Sequence, residues 1–249
     1  MIKARLAVHR QRTGQGASSL FVRFSEEPVF RFFHPSLSFP DDRGALAQAR
    51  QTNLVVAEKL ISVGDSSVGY IPSLLQATHP PGHPTMNTCR HIKRLTLLLH
   101  QLEVDGVATA GASGSSWNNV AIVEIGGGNG NMARLVARAV GFQSWTIFDM
   151  PVMTQLQEWY LKKTLKPDFL VTRNPKGVAP GAGGIQLVDT GHIWQHLHRA
   201  PAGGFTWDAL VASHSWSELP METFHMYFAA LGDRVRYILY VLHTIRRCF

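Results

Sequence analysis

Cysteine is almost missing from this chain: Cys89 and Cys248 are its only two in 249 residues, and they lie far apart. That number and spacing exclude a disulfide framework and a zinc ribbon, and they suit a reducing compartment. Charge is also sparse, at 16% of residues against 45% hydrophobic, which leaves room for a sizeable core. No run of eighteen or more apolar residues occurs, so the sequence offers no membrane-spanning helix. Acids are missing from the start: Glu26 is the first, after Lys3, Arg5, Arg10, Arg12 and Arg23. With no apolar core beside it, that stretch is not a secretory signal. It fits either an organelle transit peptide or an irregular basic tail. The expected location is cytoplasmic, with organelle targeting left open.

What charge there is leans basic, at +7 with a pI near 9.7. Nucleic acid would be the obvious partner of a basic protein, since phosphate contacts need Lys and Arg. Here the basic residues are spread out rather than clustered with aromatics, which reads as a mildly basic, solvated surface.

The organisation is readable in outline. Residues 1–105 read as an irregular and helical N-terminal extension, with Pro28, Pro35 and Pro40 punctuating short aromatic runs. Ala45 to about Ser62 has helical spacing of Leu46, Leu54, Val55 and Leu60. A turn-rich connector holds Tyr70-Ile71-Pro72 and His79 to Pro84, and Asn87 to Val104 reads as a helix. Residues 106–119 are a Gly/Ser/Ala-rich linker. An α/β domain then fills 120–249, with strands expected at 120–125, 145–149, 185–189, 207–212 and 237–242. Helices are expected at 131–140 and from Pro151 to about Leu165, with a flexible loop at 177–184. There are no internal repeats. The chain stops just after the fifth strand, where such a sheet would continue, so that edge must be covered by the N-terminal region or a partner, or the domain is truncated.

The most informative stretch is Glu124-Ile125-Gly126-Gly127-Gly128-Asn129-Gly130, between the apolar strand 120–123 and the helix from Asn131. Glycines let backbone approach a ligand and take φ > 0, and the helix start presents free N–H groups. Gly126, Gly128 and Gly130 give E-x-G-x-G-x-G. A dinucleotide site wants G-x-G-x-x-G, which would need glycine at 131, where Asn stands. Together with the acid Glu124, the spacing fits S-adenosylmethionine (SAM) better than a pyrophosphate. Asp149 ends the next strand about twenty residues on, where such folds place a carboxylate on a ribose 2′-OH. Asp189 ends the third strand; it could meet the adenine amino group or simply cap a loop.

Several segments together resemble the sugar O-methyltransferase family. They are Glu124 to Gly128, Met132-Ala133-Arg134-Leu135, Phe148-Asp149-Met150-Pro151, Glu158-Trp159-Tyr160-Leu161, and Ser213 to Leu219 with Tyr227-Phe228. The resemblance covers roughly residues 85–245, and its glycine motif is that of the class I SAM-dependent methyltransferase superfamily. It implies an α/β, Rossmann-like SAM-dependent methyltransferase sheet with helices on both faces, cut short after strand five, plus the N-terminal helical extension. It implies SAM as cofactor and a sugar-like small-molecule acceptor, with no membrane partner; nucleic acid is a minor alternative and an oligomer is open. Glu124, Gly126, Gly128, Gly130, Asp149, Asp189 and Ser213 are the expected cofactor contacts.

Ligands of open α/β sheets bind beyond the carboxyl ends of the strands. The loop after strand four, Ser213-His214-Ser215-Trp216-Ser217-Glu218, would therefore face the methyl group. Methyl transfer to a hydroxyl needs alignment and removal of one proton. His214 suits that task at neutral pH. Glu218 could orient it, hold a hydroxyl or be the base itself; the resemblance supports Ser217-Glu218 more directly than His214. The loop lacks the Asn/Asp-Pro-Pro-aromatic segment of base amino-methylation, and neither cysteine is near enough for cytosine C5 chemistry. His192 and His196 lie one helical turn apart, with His198 nearby, a spacing that can bind metal; without an accompanying acid motif it reads as a solvated helix face, and no metal is expected. His243 could line the site but reads rather as a core-edge residue; Trp159, Tyr160 and Trp216 could stack on a sugar, although on a helix Trp159 and Tyr160 are more often core residues. Three functions remain open: a sugar O-methyltransferase, methylation of another small molecule or RNA, and a non-catalytic SAM-fold binding protein.

Overall fold

A computed structural model describes residues 42–66, 68, 84–111, 114–167, 169–174, 183–197, 206–213 and 221–241. Three helices come first: α1 (Asp42–Thr52), α2 (Leu54–Val63) and α3 (Met86–Val104). Helical spacing predicts one helix over 45–62, but the chain breaks at Asn53. Its side-chain oxygen accepts from the N–H of Val56 at 3.1 Å and starts α2 afresh. The restart changes which residues face inward. Val56, Ala57 and Leu60 are buried, while Leu54 and Val55, expected on the inner stripe, are more than half exposed.

The expected linker at 106–119 is more ordered than its composition suggests. Thr109–Gly111 (β1) and Gly114–Ser116 (β2) pair as an antiparallel hairpin, and Trp117 behind them is buried in the core. The main sheet follows: β3 (Ala121–Ile125), β4 (Ser144–Asp149), β5 (Val171–Arg173), β6 (Gly184–Asp189), β7 (Trp207–Ser213) and β8 (Val235–Val241). Its order is β5-β6-β4-β3-β7-β8, and every pairing is parallel. All five expected strands are present, with the fifth beginning two residues earlier than its apolar run. The sixth, β5, is a three-residue edge strand.

The helices between strands are α4 (Asn131–Ala139), α5 (Pro151–Thr164), α6 (Ile193–Leu197) and α7 (Met221–Leu231). Pro151 opens α5 at a position where its missing N–H is not needed. Alternation along the strands splits the core in two. Ile122, Trp145, Ile147, Ile185 and Leu187 pack with α4, α5 and the N-terminal helices. Val123, Ile125, Phe148, Val188 and Leu210 pack with α6 and α7 on the other face. The result is a six-stranded parallel α/β sheet flanked by helices, an arrangement compatible with a Rossmann-like fold. Among the described residues no strand pairs with the far edge of β8, and no helix is long and apolar enough to cross a membrane.

Candidate cofactor-binding site

The strand order reverses between β3 and β7, and ligands of doubly wound sheets sit beyond the carboxyl ends at that reversal. The glycine turn 126–130 leaves β3 at this place. Gly126, Gly128 and Gly130 have φ of 69°, 58° and 85°, the left-handed region that glycine enters without cost. Gly127 is required for a different reason: a Cβ there would lie 2.8 Å from Ile147 Cγ2 and 3.2 Å from Glu124 Oε2. The turn closes with Gly130 N–H donating to the Gly127 carbonyl at 2.8 Å, and α4 begins at Asn131.

Asn131, the residue that spoils the dinucleotide pattern, is a structural hub. Its Nδ2 donates to Thr88 Oγ1 and lies 3.2 Å from His91 Nδ1, both on α3. Its Oδ1 accepts from Arg134 Nε at 2.9 Å and from the Tyr160 hydroxyl at 3.4 Å. Arg134 is itself 1% exposed and donates to the Gly64 carbonyl. Burial lowers its pKa, opposed by Tyr160 and Asp65. Asp65 accepts from the N–H and hydroxyl of Thr85 and from the hydroxyl of Thr88. This network fastens the N-terminal helices to the start of α4. Tyr160 is thus a buried member of it, its pKa raised by burial, rather than a stacking surface, and Trp159 packs partly buried against the core.

The carboxyl edge holds three acids. Glu124 is buried on β3 and accepts from Trp145 Nε1 at 2.9 Å. Burial pushes its pKa up to about 8; the Trp145 bond opposes the shift, and the charge of Asp149 adds to it. Asp149 ends β4 in register with Asp189 at the end of β6. Its Oδ1 accepts from the Met150 N–H at 2.8 Å and its Oδ2 from Gln157 Nε2 at 2.7 Å. The N–H groups of Gly127 and Gly128 also bond to it. Burial nonetheless raises its pKa to about 7, against those four hydrogen bonds. Its charge reaches Tyr227 on α7, whose pKa rises to about 12, chiefly through burial.

Asp189 is held in place by three bonds. Thr154 Oγ1 donates to its carboxylate, Asn174 Nδ2 does so at 2.8 Å, and its own N–H donates to Asn174 Oδ1. Asn174 adopts φ 47°, the only left-handed non-glycine among the described residues. Neither Gln157, Thr154 nor Asn174 is visible as a site residue in the sequence. Gln157 does share a helix face with Met153 and Tyr160, and an amide among apolar neighbours is the available signal.

Other expectations resolve differently. Ser213, expected to open the loop after the fourth strand, is the last residue of β7, and Gly184, expected in a loop, starts β6. The Ser213 side chain lies outside the described residues, as do His214, Trp216, Glu218, His198, His243 and the rest of the expected loop up to 182. His192 and His196 do not share a solvated face. His192 is exposed, 3.2 Å from Gln195, while His196 is buried with its ring edge-on to Phe148. The five-residue α6 lays Ile193, His196 and Leu197 on the sheet, while His192 lies in the 3-10 turn Thr190–His192 before it and stays exposed. Among the described residues no cluster of His, Cys, Asp or Glu is placed to hold a metal.

No family model matches this chain, and comparison with curated proteins finds no significant relative. The site's chemistry therefore rests on its own residues.

Proposed function

We propose that this chain is a SAM-dependent methyltransferase that binds its cofactor over the 126–130 turn and methylates a hydroxyl of a sugar or related small molecule. The observation that carries the reading is the pairing of this glycine turn with buried carboxyls at the sheet's reversal point. Glu124 and Asp149 lie beside the turn, and among the described residues no Lys or Arg is one of the main influences on them. A pyrophosphate would bring two negative charges to that edge, whereas SAM, with a sulfonium and an ammonium against one carboxylate, would bring a net positive charge. The lack of a cation beside the turn among the described residues thus favours SAM over a dinucleotide. An acid-lined edge likewise favours a small acceptor over RNA, whose phosphates need cations.

In this reading Asp149 takes the ribose hydroxyls, Asp189 lies toward the adenine, and the backbone of Gly126, Gly128 and Gly130 admits the cofactor closely. SAM would supply the methyl group to the acceptor oxygen and would leave as S-adenosylhomocysteine once its carbon–sulfur bond is broken. The acceptor's proton passes to His214 or Glu218 from the loop after β7. The resemblance of the 213–219 segment to the sugar O-methyltransferases supports Glu218 first. Glu218→Gln is then expected to spare SAM binding and reduce turnover.

A second reading, a SAM-fold protein that binds without catalysis, is favoured by one observation. The N–H groups of Gly127 and Gly128 bond to Asp149, so this acid is already engaged in holding the turn. Calorimetric titration of the chain with SAM and, separately, with NADH tests both. Micromolar SAM binding without NADH binding supports the cofactor, and methyl transfer to a sugar panel separates enzyme from binder. Absence of SAM binding by folded protein overturns both readings.

A further inference from the structure

The carboxamide of Gln157 touches both halves of the candidate site. Its Nε2 donates to the Gly128 carbonyl at 3.0 Å and to Asp149 Oδ2 at 2.7 Å. Both partners are acceptors, so the NH2 end must face them, which fixes the amide's orientation. Its oxygen is thereby turned away, and Oε1 is buried with no donor among the described residues. A buried polar atom left unsatisfied works against stability. An unbranched apolar side chain of the same length would fill the space without that cost. The amide is therefore explained by what its NH2 group does.

We propose that Gln157 is a positioning residue of the ligand site: its NH2 ties the carboxylate at the end of β4 to the carbonyl of Gly128, so that the acid and the glycine turn hold one arrangement. The inference rests on the reading of this site as a SAM site, where Asp149 would meet the ribose and the turn would lie against the cofactor. Gln157 itself meets no reacting atom. It acts by keeping the acid ionised and aimed, and by fixing the backbone that the cofactor approaches.

A change of protonation at Asp149 should then be felt in the turn. Among the described residues, the groups near this carboxyl are Glu124 from β3, Tyr227 from α7 and the neutral Gln157 from α5, with Asp189 in register on β6. None of these carries a positive charge, so hydrogen bonds are what favour the ionised form. Removing the Gln157 donor moves the titration of Asp149 to higher pH.

The test compares the full-length chain with Gln157→Met, which keeps length and removes the orphaned oxygen. The Asp149 carboxyl carbon is followed by NMR as pH is varied, and amide hydrogen exchange is read at Gly127, Gly128 and Met150. The expected result is a midpoint moved to higher pH and exchange at those three amides faster by roughly tenfold, with exchange inside β3 and β6 unchanged. Titration with S-adenosylhomocysteine should show weaker binding whose pH dependence moves with the same midpoint. An unchanged midpoint and unchanged local exchange overturn the proposal, even if thermal stability changes, because packing alone would produce that result. Gln157→Asn keeps the chemistry and loses the reach, and it replaces the methionine variant if that one does not fold. The NMR comparison needs no ligand. Failure of the parent chain to bind SAM or S-adenosylhomocysteine therefore sinks the functional reading separately from the role of Gln157.

Discussion

The two polar clusters that flank the glycine turn are built differently. On the side of the N-terminal helices, buried Arg134 lies among the Asn131 amide, the Gly64 carbonyl and the Tyr160 hydroxyl, with the Asp65 charge nearby. A cation and an anion offset each other there, and the hydroxyls and amides fill the remaining bonds. At the carboxyl edge of the sheet, Glu124 and Asp149 are buried with only neutral donors, and both are pushed toward the protonated form. A balanced cluster is what a fold needs to lock two elements together. An unbalanced one works against folding and is retained where charge is to be used.

The largest expected effect breaks the balanced side. Arg134→Met removes donors from two buried acceptors and a cation from beside Asp65. Urea unfolding should show a loss of roughly 2–4 kcal/mol. A loss under about 1 kcal/mol would mean that the network is ornamental and the comparison wrong. Next comes Asp149→Ala on the unbalanced side, which is expected to weaken SAM binding by roughly 1–3 kcal/mol through loss of charge-assisted bonds to the ribose. Normal SAM affinity in that variant would remove Asp149 from the site.

The pH dependence sharpens the comparison further. In the unfolded chain both acids titrate near about pH 4. In the folded chain they hold their protons up to about 7 for Asp149 and about 8 for Glu124. Between these limits the folded state binds more protons than the unfolded state, so stability falls as pH rises from about 4 to about 8 and then levels. Glu124→Gln keeps an acceptor for Trp145 and removes the Glu124 share of that fall across the whole window. Thermal unfolding should place the variant level with the parent near about pH 4, where Glu124 is protonated in both states, and increasingly above it up to about pH 8. An equal deficit at both values would show that Glu124 matters through shape and not charge.

The smallest effect belongs to the surface. Glu158 bridges Lys162 at 2.8 Å and Arg173 at 3.1 Å, tying α5 to the edge strand β5. Glu158→Gln is expected to cost under about 0.5 kcal/mol, because solvent and salt screen exposed pairs.

The glycine turn and the strands around it could be read from the sequence because both signals are local. Apolar runs such as Ala121 to Ile125 and Trp145 to Phe148 mark buried parallel strands, and the spacing of Gly126, Gly128 and Gly130 marks a turn with three left-handed residues. The edge strand Val171–Arg173 is too short to carry a pattern, and its pairing with β6 exists only once the sheet is assembled. Asn53 divides a helix that periodicity alone would continue, since a short amide can satisfy the free N–H of a new first turn. His196 reads as solvated until α6 is laid on the sheet face beside Phe148.

By itself, then, the sequence determined an α/β chain with a glycine turn after one strand and an acid at the end of the next. Those features depend on neighbouring residues and on backbone torsions that each residue type permits. Only the tertiary structure decided that Asn131 anchors the N-terminal helices, that Asn174 holds Asp189, and that Gln157 joins Asp149 to the turn. Each of these bonds links residues apart in sequence, and a hydrogen bond between separate elements has no local pattern to announce it. The same holds for the unbalanced charge at the carboxyl edge. Glu124 and Asp149 are ordinary acids in a sequence, and become a poised pair only when folding takes water away from both.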